Sequence, residues 1–219
     1  NTLLAGIGRF SSYGRAGGTR AGVLRSRDGG SSWSALSSTM AGKNISGITA
    51  RGNVIVVAAN TATSNACADY GLFRSTDGGA SFTKLGLPEG LPSGAVTSLV
   101  NHASAPQILF AHLDSANVCG GSAQLNGLYR SSDEGASWTR VSNTEMNTLF
   151  AGSSKLVRAH VAAGGRIAVA IADSVLRGVF LSTDNGASWL GLGYPITFEG
   201  SDEVGLHPGE QGRLHLSIA

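Results

Sequence analysis

One twelve-residue pattern occurs four times in the chain, and it constrains the fold more than any other feature. The copies are Gly22-Val-Leu-Arg-Ser-Arg-Asp-Gly-Gly-Ser-Ser-Trp33, Gly71-Leu-Phe-Arg-Ser-Thr-Asp-Gly-Gly-Ala-Ser-Phe82, Gly127-Leu-Tyr-Arg-Ser-Ser-Asp-Glu-Gly-Ala-Ser-Trp138 and Gly178-Val-Phe-Leu-Ser-Thr-Asp-Asn-Gly-Ala-Ser-Trp189. They share Ser-x-Asp-x-Gly-x-x-Trp/Phe over 26–33, 75–82, 131–138 and 182–189. The aspartates, Asp28, Asp77, Asp133 and Asp184, are separated by 49, 56 and 51 residues. One copy is a weak signal, whereas four at near-constant spacing are an internal repeat.

Each copy predicts a hairpin. Gly-apolar-apolar-x-Ser is a short strand; the aspartate accepts backbone N–H bonds in the turn, and the following glycine takes the unusual dihedral. Trp33, Phe82, Trp138 and Trp189 then pack back over the hairpin base. Two further strands precede each of the last three boxes: 45–50 and 53–59, 95–100 and 107–112, 156–161 and 166–171. Four strands in about 50 residues make one propeller blade, here lettered A to D with the box joining C to D. No segment shows a helical period. The expected fold class is all-β, a β-propeller of four-stranded antiparallel blades with four blade equivalents.

The ends leave two closures open. Residues 2–7 read as strand B of the first blade and 213–219 as strand A, and 63 residues separate the last box from the first around the chain. Either 1–219 is one propeller domain whose C-terminal strand completes the first blade, or it is part of a larger propeller with further blades from the same or another chain.

Composition excludes several alternatives. Thirty-two glycines without a three-residue period and five prolines are not collagen. No apolar stretch reaches the 18 or so residues of a membrane helix. A net charge of +2 with scattered arginines is no nucleic-acid footprint. No phosphate loop or metal-ligand cluster is present, so neither cofactor nor metal is expected.

The boxes resemble the Asp-box family, also called bacterial neuraminidase repeats, found in sialidases, xyloglucan-active glycosidases, sortilin-type receptors and photosystem assembly factors. The resemblance implies a propeller and not a single activity, because the box belongs to the scaffold. In the family's glycosidases the site lies on the face opposite the boxes, which implies a structural role for all four aspartates and their aromatics. The opposite face carries the B–C and D–A connections. B–C loops at 9–21, 60–70 and 113–126 are long, at 11 to 14 residues, and long loops are often functional. They and the shorter 172–177 supply Tyr13, Arg15, Arg20, Asp69, Tyr70, Asp114, Asp173 and Arg177. The D–A connection 191–212 adds Tyr194, Phe198, Glu199, Asp202, Glu203 and His207, aromatics beside carboxylates of the kind a sugar site uses.

Cys67 and Cys119 fall in B–C loops of adjacent blades, where a disulfide would suit an exported, extracytoplasmic protein; two unpaired thiols are the alternative. The histidines at 102, 112, 160 and 215 read as packing or surface residues. Arg25, Arg74 and Arg130 recur at one strand position as a blade-surface repeat feature. Asn44-Ile-Ser46 is a lone glycosylation sequon.

Sialidases resembling this family carry an Arg-Ile-Pro motif before the first box; here the nearest string is Arg166-Ile-Ala168, in strand B. The leading expectation is a non-catalytic, secreted β-propeller scaffold that presents loops to a protein or glycan. The alternative is a sialidase-like or xyloglucanase-like glycoside hydrolase, or half of one. For that enzyme the acid, base or nucleophile candidates are Asp114, Asp173, Glu199 and Asp202, and the ligand-face candidates are Tyr13, Arg15, Arg20, Asp69, Tyr70, Arg177 and Tyr194.

Overall fold

The computed structural model describes residues 2–8, 19–62, 66–151, 156–161, 166–173, 175–193, 196–199 and 202–205. Four antiparallel sheets follow one another along the chain. Blade 1 comprises β1 (Leu3–Gly6), β2 (Val23–Ser26) and β3 (Ser34–Ala35). Blade 2 comprises β4 (Lys43–Arg51), β5 (Val54–Ala62), β6 (Gly71–Ser75) and β7 (Thr83–Lys84). Blade 3 comprises β8 (Ala95–Asn101), β9 (Leu109–Asp114), β10 (Gly127–Ser131) and β11 (Thr139–Arg140). Helix α1 (Thr144–Phe150) precedes blade 4, which comprises β12 (Leu156–Val161), β13 (Ile167–Ala172), β14 (Leu176–Ser182) and β15 (Leu190–Gly193). A hairpin of β16 (Ile196–Glu199) and β17 (Asp202–Gly205) comes last. In blades 2 to 4 the strands pair in chain order, as the A-to-D repeat requires. The C-terminal strand expected over 213–219 lies outside the described residues.

The innermost strands β4, β8 and β12 contact one another in succession, and β1 contacts β4. The core lies between blades rather than within one sheet. Blades 1 and 2 enclose Val23, Met40, Ile45, Ile55 and Phe73. Blades 2 and 3 enclose Val56, Leu72, Leu99, Leu109 and Trp138. Blades 3 and 4 enclose Phe110, Leu128, Phe150, Ile167 and Phe180. Apolar area removed from water at these junctions is the main favourable term for a repeat whose single sheet cannot bury both faces.

Two sequence expectations need correction. The D–A connection of blade 3 holds α1, capped by Asn143, whose side chain accepts from the Met146 N–H. Its buried Met146 and Phe150 are a single i, i+4 pair, too short a pattern to register as a helical period. The connection expected over 191–212 is not wholly a loop, since it carries the end of β15 and the β16–β17 hairpin.

Candidate functional site

The box geometry is the same four times. Ser26 Oγ donates to Asp28 Oδ1 at 2.7 Å, the Gly30 N–H donates back to Ser26 Oγ at 2.8 Å, and Ser32 donates to both carboxylate oxygens, from N at 2.9 Å and from Oγ at 2.6 Å. The equivalent bonds at Asp77, Asp133 and Asp184 agree to within 0.1 Å. Two consecutive residues with positive φ follow each aspartate; at the first box they are Gly29 and Gly30, whereas Glu134 and Asn185 take the first position in the last two. A carboxylate accepting this many donors is held ionised. Ser32, through its side chain and then its backbone, lowers the Asp28 pKa, and Ser81 does the same to Asp77. Ser188 lowers Asp184 to about 2. At Asp133 partial burial pushes upward, but the Ser137 and Ser131 bonds outweigh it. Each carboxylate is thus consumed by its own turn.

The boxes share a face with the A–B turns: the Gly78 N–H donates to Asn53 O at 2.9 Å and the Glu134 N–H to Gln107 O at 3.0 Å. The arginine just before each of the first three boxes also grips the next blade's box. Arg25 Nη1 reaches Gly78 O at 3.0 Å, Arg74 Nε reaches Glu134 O at 2.9 Å, and Arg130 Nη1 reaches Asn185 O at 3.0 Å. The recurring arginines are therefore clasps between blades, not features of one blade's surface. The box aromatics point the other way along the chain. Trp189 Nε1 donates to Val141 O, just after β11, at 2.7 Å, and the main-chain N–H of Trp138 donates to Glu89 O after blade 2 at 2.8 Å. Phe82 and Trp138 are buried, whereas Trp33, in the first blade, is 43% exposed.

On the opposite face, Cys67 and Cys119 form a disulfide with Cα atoms 5.5 Å apart, joining the B–C loops of blades 2 and 3. Tyr70, offered by the sequence as a ligand-face residue, is buried, and its hydroxyl lies 3.2 Å from Cys67 Sγ and 3.4 Å from Cys119 Sγ. Asp69 forms an ion pair at 3.6 Å with Lys43, whose buried ammonium also sits 4.8 Å above the Phe73 ring. Lys84 donates to Cys67 O, and desolvation, then the Lys43 charge, lower its pKa against the opposing pull of Asp69. Sequence reasoning missed both lysines; the available signal was rarity, since two of only three lysines in the chain meet here.

Asp114 ends β9 and Asp173 directly follows β13, and both are buried. Asn126 Nδ2 donates to Asp114 Oδ1 at 3.1 Å, while Asn126 Oδ1 accepts from the Ala116 N–H. Arg177 Nε donates to Asp173 Oδ1 at 2.8 Å, and the Val175 N–H donates to the same oxygen at 3.2 Å. Arg20 is half-buried three residues before β2, and its Nε is buried without a partner among the described residues. The backbones of Glu199 and Asp202 are register partners in the β16–β17 hairpin. Tyr13, Arg15 and Tyr194 lie outside the described residues. The sequon residue Asn44 is buried, with its Nδ2 donating to Asn60 Oδ1 at 2.7 Å, which removes it as a surface acceptor.

Two grooves lined by described residues lie on the box face, between blades. One of about 480 Å³ separates blades 1 and 2, and one of about 20 Å³ separates blades 2 and 3. The first is lined by Arg25 and Arg27 and by no carboxylate.

Four inter-blade Asp-box turns on four successive sheets define an Asp-box β-propeller. The chain belongs to the Sortilin-Vps10 family, whose model, described as sortilin, neurotensin receptor 3, matches residues 21–166. No curated protein matched the chain. Among solved structures it is similar to an ancestral GH74 enzyme, with 20% identity, a TM-score of 0.54, and coverage of 78% of this chain and 21% of that one. A GH74 enzyme of Niastella koreensis gives 18% identity, a TM-score of 0.51, and coverage of 78% and 26%. YCF48 from Cyanidioschyzon merolae gives 17% identity, a TM-score of 0.51, and coverage of 84% and 55%. The chain thus spans less than two thirds of each of these structures, and at these identities the likeness is one of fold.

Proposed function

We propose that the protein is a non-catalytic, extracytoplasmic propeller module that binds a protein partner through its inter-blade surfaces. The observation that carries this is the state of Asp114 and Asp173. Both are buried and bound to local donors, Asn126 for one and Arg177 with Val175 N for the other. A retaining or inverting glycosidase needs a carboxyl pair about 5–9.5 Å apart, open to the glycosidic oxygen and to water. The disulfide across two loops supports an oxidising compartment and fixes a rigid platform, with Val118 of the stapled loop prominently exposed. Among the described residues no helix is long and apolar enough to cross a membrane.

Two measurements test this function. Incubation with xyloglucan oligosaccharides and with sialyl-lactose should release no sugar above buffer; release that Glu199→Gln or Asp202→Asn abolishes would establish the glycosidase instead. A photo-crosslinker placed at Val118 should give one discrete protein adduct from the native secretory milieu, and reduction of Cys67–Cys119 should abolish it.

A further inference from the structure

The second residue of strand D sets two blades apart. Phe73 pairs with Lys84 and Tyr129 with Arg140, whereas Leu24 pairs with Ala35 and Phe180 with Gly191. A cation therefore stands at this position only in blades 2 and 3, the two that the Cys67–Cys119 disulfide joins. Both stems cross the first residue of strand C on the way to the face opposite the boxes. That residue is glycine in both blades: an added Cβ would lie 3.2 Å from Lys84 Cε at Gly71 and 2.5 Å from Arg140 Nε at Gly127. Lys84 then donates to Cys67 O and Arg140 to Asn126 O, each a carbonyl of its own blade's B–C loop.

Neither cation has a carboxylate. No ion pair reaches Lys84 or Arg140 among the described residues. The carboxylates of the adjoining connections are engaged elsewhere: Asp69 with Lys43, Asp114 with Asn126, and Glu89 with the Gly86 N–H. Thr63, Ser64 and Asn65, in the same loop as Cys67, carry no charge. Arg140 Nε is buried without a partner among the described residues, and burial lowers the Arg140 pKa against the weaker opposing effect of Tyr129. Positive charge drawn part-way out of water without a counter-ion carries a standing cost, and an anion supplied from outside relieves it.

Apolar surface lies beside each cation. The loop between β9 and β10 makes two short turns, Ala116–Cys119 and Ala123–Leu125, and each exposes one large aliphatic side chain, Val118 at 67% and Leu125 at 38%. Val118 O lies 3.7 Å from the Sγ of Cys67, the residue whose carbonyl takes Lys84. Leu125 directly precedes Asn126, whose carbonyl takes Arg140. A polyanionic sugar would engage the cations and leave Val118 and Leu125 in water. A polypeptide with carboxylates next to aliphatic side chains engages all four.

We propose that the stapled loops bind an acidic, aliphatic-rich segment of a partner protein, with one carboxylate at Lys84, a second at Arg140, and aliphatic side chains against Val118 and Leu125. The proposal rests on the binding-module function above and adds the chemistry of the partner and the residues that read it. The disulfide holds the two cation-bearing loops together, so the partner meets both charges at a fixed separation and the binding surface is ordered in advance.

The test uses a short synthetic peptide of alternating glutamate and leucine, blocked at both ends, and a counterpart with lysine for every glutamate. Calorimetry at low salt on the whole chain should show the acidic peptide binding at a single site, at least about tenfold more tightly than the basic one. Raising the salt to about 0.3 M should weaken it severalfold. Lys84→Met and Arg140→Met keep the stems and should each weaken binding about tenfold, whereas Lys84→Arg should hold it within about twofold. Val118→Ser, an exposed change, should weaken it about threefold. The comparison of the two peptides is made on the unaltered chain and decides the matter even where a methionine variant unfolds. Equal binding of the two peptides overturns the proposal, as does absence of binding by the acidic peptide at millimolar concentration. A heparin-derived oligosaccharide that binds more tightly than the peptide, and binds Val118→Ser equally well, overturns it in favour of a sulfated glycan. Failure here with the Val118 adduct intact removes the acidic segment and leaves the module standing; failure of both removes both.

Discussion

Arg74 Nε donates to the main-chain carbonyl of Glu134, 2.9 Å away and one blade further along. The bond is partly buried and charge-assisted, and it repeats at Arg25–Gly78 and Arg130–Asn185. In blade 4 the same strand position is Leu181. Arg74→Met keeps much of the stem and removes the donor. It should cost about 1.5–3 kcal/mol in urea unfolding, the range for hydrogen bonds to charged groups, with an unchanged m-value. A loss below about 0.3 kcal/mol would mean the clasp is replaced by water at no cost.

The same box position should have very different value in different blades. Trp138 is 5% exposed, its Nε1 donates to Gly135 O, and it packs with Leu85 and Leu91 of the preceding blade. Trp33 makes the equivalent bond to Gly30 O and is 43% exposed. Trp138→Ala should cost about 3–5 kcal/mol, as large-to-small core changes do, and Trp33→Ala about 1 kcal/mol or less. Thermal denaturation of the two variants checks this; equal losses would show that the turn, and not the blade junction, is what the tryptophan stabilises.

The boxes and their strands were legible because a turn needing paired positive-φ residues and an acceptor aspartate leaves few residue choices. Gly90 shows what was hidden: at φ +83°, an added Cβ would lie 2.2 Å from Trp138 O, yet nothing near Gly90 in the chain points to blade 3. The arginine clasps were misread for a related reason, since their acceptors are backbone carbonyls, which carry no side-chain identity. Asp114 and Tyr70 looked like site residues because they lie in long loops; their partners Asn126 and Cys119 come from the far end of the same loop and from the next blade.

The disulfide closes 52 residues of chain. By loop-closure entropy a bridge of that span is worth about 4 kcal/mol. Cys67→Ser with Cys119→Ser should lower stability by up to that amount and should abolish the difference between melts with and without reductant. A wild-type melting temperature indifferent to dithiothreitol would mean that Tyr70 and the Lys84–Cys67 O bond hold the loops unaided.

Asp184 separates turn stability from pH effects elsewhere. Its folded pKa, held down to about 2 by Ser188 and Ser182, lies below the unfolded value near about 3.9. The stabilisation is therefore complete above the unfolded pKa and is lost as pH falls from about 4 to about 2. Asp184→Asn should melt below wild type at pH 6, and the two curves should converge by pH 2. Parallel curves over the whole range would show that the carboxylate charge contributes nothing the amide lacks.

His112 should govern a separate, higher window. It is fully buried in β9, its ring centroid 4.7 Å from that of Phe150 and its Nδ1 2.7 Å from Thr97 Oγ1, and burial pushes its pKa down to about 3. The unfolded chain, with a histidine pKa near about 6.5, binds a proton that the folded chain refuses. Stability is therefore full above about pH 6.5 and falls as pH drops, at up to about 1.4 kcal/mol per pH unit. The contribution of the box aspartates is constant until pH falls towards their unfolded value near about 4, so urea titrations at pH 7, 5.5 and 4.5 report mainly the histidine. His112→Gln keeps an acceptor for Thr97 and cannot take the proton. It should be less stable than wild type at pH 7 and flat down to pH 4.5, where the two proteins approach one another. An equal slope in the variant would assign the acid sensitivity to another group.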